Sequence, residues 1–195
     1  GVQTCALPIS NIATPDDVIA GKNLSGPVVV FDDDHYYMGG VLAEKLRTDG
    51  HNVPLVTPAA DVSHWTHNTM EQGRIQTRLL ELGVEIVALH NLAAIAEGEV
   101  ELACVYTGRR QNHACGSLVL VTARLPEDSL YHALNEEWSA LAGAGIKSLT
   151  RIGDVLAPGT IAAAVYSGHR YARELDEPVA EGVPFRRELP QLADA

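Results

Sequence analysis

The sequence predicts an α/β fold in which strands and helices alternate, then give way to a β-meander and a largely helical C-terminal stretch. Three observations predict it. Short β-branched runs at residues 28–31 (VVVF), 53–57 and 84–88 are separated by two amphipathic helical stretches, as in a buried parallel sheet. Three further strand candidates, 92–96, 100–107 and 115–122, are joined by EGE and GRRQNHAC, a spacing too close for crossover helices and suited to a meander. Beyond residue 123 the helical pattern dominates.

The elements follow in order. Residues 1–9, GVQTCALPI, match position by position the in-frame translation of a common sequencing-library adapter, so native sequence is expected from Ser10 or Asn11, with more protein upstream. Cys5 therefore receives no functional weight. From Thr14, TPDDVIAG reads as a short helix, with a capping residue, proline at the first helical position and acids in the first turn. Met38, Val41, Leu42 and Leu46 mark one face of a second helix that Gly50 ends, and Met70, Ile75, Leu79, Leu80 and Leu82 mark a third that ends at Gly83. A helix is expected over 127–142, a last buried strand at 149–152, and a long helix over 160–174. The tail 176–195, rich in proline and charge, reads as extended over the surface or partly disordered.

With 195 residues, 46% of them hydrophobic and 20% charged, the chain can build a substantial core. Its net charge of −11 argues against a nucleic-acid partner, since no basic surface would offset phosphate repulsion. No apolar run reaches membrane-spanning length, so no membrane partner is expected. Cys5, Cys104 and Cys115 lack paired spacing, which suits a reducing cytoplasm.

The segment FDDDHYYMGG, residues 31–40, links a strand to a helix where a dinucleotide-binding fold keeps a glycine-rich phosphate loop. Carboxylates there would occupy the loop amides and repel phosphate. Three readings of Asp32, Asp33 and Asp34 compete: a turn that has lost dinucleotide binding and is capped by its own carboxylates, a nucleotide or partner site of altered chemistry, and a divalent cation held with His35. Met38, Gly39 and Gly40 fall in the first turn of the helix, and close helix–strand packing explains the glycines most simply. After the second strand Thr57 is followed by no charge before Asp61, so the acid or arginine that would read a nucleotide ribose is missing.

Two later motifs, LVLVTARLP at 118–126 and RIGD at 151–154, stand where flavoproteins of the pyridine-nucleotide-disulfide-reductase type carry a V-x-A-T-G-R-x-P strand and a G-D strand. Ala123 replaces the usual glycine. Together with the stretch from DDDHYYMGG to LLELGVEI, they make the chain from about Asn11 onward resemble the C-terminal region of the trimethylamine dehydrogenase, dimethylamine dehydrogenase and 2,4-dienoyl-CoA reductase family, a group that includes demethylases of dimethylglycine and N-methylproline type.

The resemblance implies a Rossmann-like, pyridine-nucleotide-disulfide-reductase-type NAD(P)H-like domain with a β-meander, plus the C-terminal segment of an FAD-like domain. Residues 11–23 would form a linker helix, 24–123 the degenerate NAD(P)H-like domain, 124–175 the returning segment of the FAD- or ADP-binding domain, and 176–195 the tail. It also implies an FMN-bearing barrel and an iron–sulfur cluster upstream, so no catalytic residue is expected in this stretch. Gly153, Asp154, Pro158, Gly159, Thr160 and Ile161 would contribute to the FAD or ADP site, with Asp154 accepting hydrogen bonds from ribitol hydroxyls. Read locally, the same residues are equally an Asp turn and a Thr-capped helix start.

His64, His67, His90 and His113, with Trp65, read as surface or packing residues rather than metal ligands, and SHWTHN as a domain-interface loop. Arg109 and Arg110 read as a solvated turn. Ser63, Ser117 and Ser129 lie outside any nucleophile-elbow context.

The resulting expectation is the nucleotide-binding end of a cytoplasmic flavin oxidoreductase that oxidatively demethylates a small methylated amine or amino acid. Electron-transfer flavoprotein and further copies of the chain are its expected partners. Two alternatives stay open: an NAD(P)H-dependent enoate or 2,4-dienoyl-CoA reductase, and a non-enzymatic nucleotide-binding assembly module.

Overall fold

The structure, a computed structural model, describes residues 11–175; the adapter-like segment and the tail lie outside them. The chain divides after Ala123 into two compact units.

The first unit is built on a parallel sheet. Its elements are β1 (Ile12–Ala13), α1 (Pro15–Ile19), β2 (Val28–Asp32), α2 (Tyr37–Thr48), β3 (Pro54–Val56), a 3₁₀ turn (His64–Thr69), α3 (Gln72–Glu81), β4 (Glu85–Val87), β5 (His90–Ala96), β6 (Glu99–Cys104), β7 (Arg110–Ala114) and β8 (Ser117–Val121). The strands of the parallel sheet run in the order β1-β8-β2-β3-β4, and β5, β6 and β7 form a separate antiparallel sheet.

Strand alternation explains why β2 is an unbroken apolar run. Val28 and Val30 point to a core shared with Leu42 and Leu46 of α2 and Leu79 of α3. Val29 and Phe31 point the other way, into a second core with Val100 and Leu102 of β6. Helices cover one face and the meander the other, so both parities must be apolar.

Asp32 ends the strand on the helix-facing parity of Val28 and Val30, and it pairs with Val121 of β8. Along α2 the buried positions are Gly39, Gly40, Leu42, Ala43 and Leu46. That stripe leaves Val41, expected to face inward, 57% exposed.

Local capping fixes α1. Thr14 Oγ1 accepts from the Asp17 amide at 3.2 Å and the Asp17 carboxylate accepts from the Thr14 amide at 2.9 Å. Breaking this reciprocal pair with Thr14→Ala is expected to cost about 1 kcal/mol, measured by urea unfolding.

Several expectations need correction. The meander's third strand is β7, inside the segment read as a solvated turn around Arg109 and Arg110; Arg110 opens it and pairs with Glu101 of β6. Residues 117–121, assigned to the meander, join the parallel sheet as β8 between β1 and β2. The segment 11–23, read as a linker helix, holds α1 but also β1, whose Ile12 and Ala13 pair with Leu118 and Val119. Met70 and Leu80 do not face inward: Met70 takes φ +60° ahead of α3 and is 91% exposed, and Leu80 lies on the outer face.

The second unit contains α4 (Ser129–Glu136), α5 (Trp138–Gly143), a 3₁₀ turn (Gly153–Val155) and α6 (Ile161–Glu174). The helix expected over 127–142 is interrupted at Glu137. Residues 149–152 form no strand, because among the described residues this unit offers no other strand to pair with. Arg151 instead pairs with Asp128 and lies 4.7 Å from the centre of the Tyr131 ring. Among the described residues, no helix is long and apolar enough to cross a membrane.

Candidate functional site

The C-terminal edge of a parallel sheet is where α/β folds place ligands. In the first unit this edge carries Asp32 at the end of β2 and Thr57 just beyond β3, both fully buried. Asp32 Oδ1 accepts from the amides of Asp34 at 3.2 Å and His35 at 3.1 Å. Its other oxygen, Oδ2, is buried without a hydrogen-bond partner. Directly behind it lies Gly39: a Cβ there would stand 2.4 Å from both Asp32 Cγ and Oδ2. The first turn of α2 thus sits on the carboxyl group.

Burial pushes the Asp32 carboxyl up from the ordinary 3.8 to about 6, against the opposing pull of the His35 amide and its charge. The three aspartates do not converge. Asp33 and Asp34 are exposed, and Asp33 faces His35 Nε2 at 3.4 Å. His35 adopts φ +60°, which turns its ring toward Thr57, with Nδ1 3.3 Å from Oγ1, while its carbonyl accepts from the Trp65 amide at 2.9 Å. The loop is therefore locked to the end of β3 and to the 3₁₀ turn. A groove of about 500 Å³ between α2 and α3, lined by Tyr37, Glu44, Arg74 and Arg78, lies apart from Asp32.

In the second unit the six residues singled out lie on the 3₁₀ turn, the loop after it and the start of α6, and one hydrogen bond joins two of them, Asp154 and Gly159. Gly153 takes φ +59°, and its amide donates to Ser167 Oγ at 3.0 Å. Asp154 Oδ1 accepts from the Gly159 amide at 3.4 Å, and Thr160 caps α6 by accepting from the Ala163 amide. Pro158 lies within this loop, and Ile161 opens α6 with 85% of its surface exposed. Asp154 is exposed, so a carboxylate acceptor stands beside a helix N-terminus; that donor and acceptor set fits the hydroxyls of a nucleotide cofactor.

Sequence reasoning missed one constellation. Asp61 Oδ1 lies 2.6 Å from His64 Nδ1, and Oδ2 lies 2.7 Å from His67 Nε2. The signal was the spacing D-x-x-H-x-x-H: three-residue winding puts His64 and His67 on one face of the 3₁₀ turn, and the bend before left-handed Ser63 brings Asp61 to both. Trp65, in the same turn, is 54% exposed. His90 and His113 take no part in this cluster: His90 Nδ1 is 2.7 Å from the Ala88 carbonyl, and His113 lies 4.0 Å from Glu85.

Comparison with known proteins places this geometry. The OYE-like second alpha/beta domain family matches residues 13–123. A curated relative, dimethylamine dehydrogenase from Hyphomicrobium sp. (strain x), is 30% identical over 200 aligned residues, covering 92% of this chain and 27% of the relative. Among solved structures, histamine dehydrogenase from Rhizobium sp. 4-9 is 48% identical with a TM-score of 0.85, covering 98% of this chain and 31% of its own. The 6-hydroxypseudooxynicotine amine oxidase from Pseudomonas geniculata N1 is 37% identical with a TM-score of 0.76, covering 87% and 25%. The chain thus spans between about a quarter and a third of the length of these relatives. It belongs to the OYE-like second alpha/beta domain family, within the trimethylamine and dimethylamine dehydrogenase and 2,4-dienoyl-CoA reductase group.

Proposed function

We propose that the chain is the C-terminal nucleotide-binding region of a flavin-dependent amine oxidoreductase. Its substrate class is a small methylated amine or amino acid, oxidised at the C–H bond beside nitrogen so that an N-methyl group is removed. The three relatives above are named for acting on amines, which supports the class. In this reading the chemistry belongs to an FMN barrel and an iron–sulfur cluster outside this chain. The first unit is a Rossmann-like NAD(P)H-type domain that no longer takes a pyridine nucleotide. The second contributes Gly153, Asp154 and the start of α6 to an FAD or ADP site, with Asp154 as acceptor for sugar or ribitol hydroxyls.

The observation that carries the choice of an amine dehydrogenase over a nicotinamide-dependent reductase is the packing of Gly39 against buried Asp32. A dinucleotide pyrophosphate needs free loop amides and a close approach at this turn. Here two of those amides donate to the Asp32 carboxylate, and a phosphate would meet its charge in a desolvated setting. An enzyme whose electrons come from an amine has no need of NADH.

The test uses the full-length protein. Anaerobic addition of a methylated amine should bleach the flavin absorbance, while NADH and NADPH should neither bind tightly nor bleach it. Rapid reduction by either nicotinamide nucleotide would overturn the reading in favour of the reductase.

A further inference from the structure

We infer that Asp61, His64 and His67 form a binding site for a divalent transition-metal ion of the zinc type, held by two imidazole nitrogens and one carboxylate, with coordination positions left open to solvent or to a partner's side chain. Their ligand atoms all lie within 4.8 Å of one another. Two imidazoles and a carboxylate are the donor set of open zinc sites, and imidazole selects such ions over calcium or magnesium.

The backbone builds this arrangement. In a 3₁₀ turn residues three apart eclipse one another, so His64 and His67 meet edge to face, with ring centres 5.3 Å apart. Asp61 reaches both rings from the bend ahead of the turn. The turn is fastened at both ends and from below. Ser63 and Met70 adopt left-handed conformations at φ +51° and +60° and delimit it. Thr66, fully buried, donates through its hydroxyl to the Ser63 carbonyl at 2.7 Å. The Trp65 amide donates to the His35 carbonyl, the Glu71 amide to the Thr66 carbonyl, and the Gln72 side chain to the Val62 carbonyl. The ligands thus stand on a rigid support, which lowers the ordering cost of capturing an ion.

Without an ion, His64 Nδ1 and His67 Nε2 face the two Asp61 oxygens at hydrogen-bond distance, a geometry in which a ring N–H donates to the carboxylate. Metal capture moves the single ring proton of each neutral imidazole to its other nitrogen, by exchange with solvent, and so frees the facing lone pair for the ion. Spacings of 2.6 and 2.7 Å must open to the wider separation of atoms sharing a metal, and His64 and His67, about half exposed, have room to do so.

The experiment titrates the 195-residue chain with zinc chloride by calorimetry and with cobalt(II) by visible absorption. One ion per chain is expected, with a cobalt spectrum of mixed nitrogen and oxygen ligation and weaker binding as the pH is lowered from about 7.5 to about 5.5. His64→Ala, His67→Gln and Asp61→Asn should each weaken binding by at least about tenfold, while His132→Ala, in the second unit, should leave it unchanged. His64, His67 and His132 lie at the surface and Asp61 is partly buried, and far-UV circular dichroism checks that each variant folds. In ring-nitrogen NMR, zinc should shift the signals of His64 and His67. No saturable binding, or binding that all three variants retain, overturns the site and leaves a hydrogen-bonded surface triad.

Discussion

Gly39→Ala is expected to destabilise the protein by about 3 kcal/mol, measured by urea unfolding. The added methyl would stand 2.4 Å from Asp32 Cγ and Oδ2 and 2.7 Å from its Cβ, well inside contact distance. Relief is expensive on both sides. Asp32 lies in a strand hydrogen-bonded to neighbours on both edges, and its Oδ1 holds the Asp34 and His35 amides. Lifting α2 instead would part Leu42 and Leu46 from the valines of β2. Removing the carboxyl should therefore rescue the alanine: the cost of Gly39→Ala in an Asp32→Ala background is expected to be at least 1 kcal/mol smaller, about a third of the original effect. Equal costs in both backgrounds would show that the two residues do not share the space.

The pH dependence of stability should change by a similar amount in Asp32→Asn. Because burial raises the folded-state carboxyl to about 6, the folded chain binds a proton there more tightly than the unfolded chain, where the ordinary value is 3.8. The stabilisation from that proton is fully present below about pH 3.8 and is lost as pH rises through about 6. The difference amounts to about 3 kcal/mol at pH 8. Asparagine has nearly the same shape, keeps an acceptor for the two loop amides and carries no charge. It should match the wild type at pH 4 and exceed it by about 2–3 kcal/mol at pH 8. Denaturant unfolding at both values checks this, and a gain of the same size at both would show that Asp32 does not titrate with folding.

What could be read in advance follows the burial of each element. β2 and β3 lie between two cores, and α2 and α3 pack on one of them, so apolar patterning marks all four strongly. β7 reads RQNHA and is almost wholly exposed, so neither face had to be apolar and only its pairing with β6 makes it a strand. β1 has two residues, too few for any period. The Asp61 cluster was hidden because the backbone reverses at left-handed Ser63, so no regular period links the carboxylate to the two histidines of the 3₁₀ turn. Asp32 was legible in one respect: with the strand running from Val28, alternation alone directs its side chain to the helix face.

The position of β8 sets an order on folding. Ser117–Val121 lies between β1 and β2, and Asn11 reaches Ser117 across 106 positions of sequence. Until that strand arrives, Val28, Val29 and Val30 present a bare hydrogen-bonding edge flanked by apolar side chains, a template for pairing with the wrong chain. During synthesis, helices and hairpin can form from local contacts as they emerge, whereas the parallel sheet closes last and against the largest loop entropy. The meander is thus also a delay line: β5 to β7 must be made, and can already cover one face of β2, before the strand that completes the sheet exists.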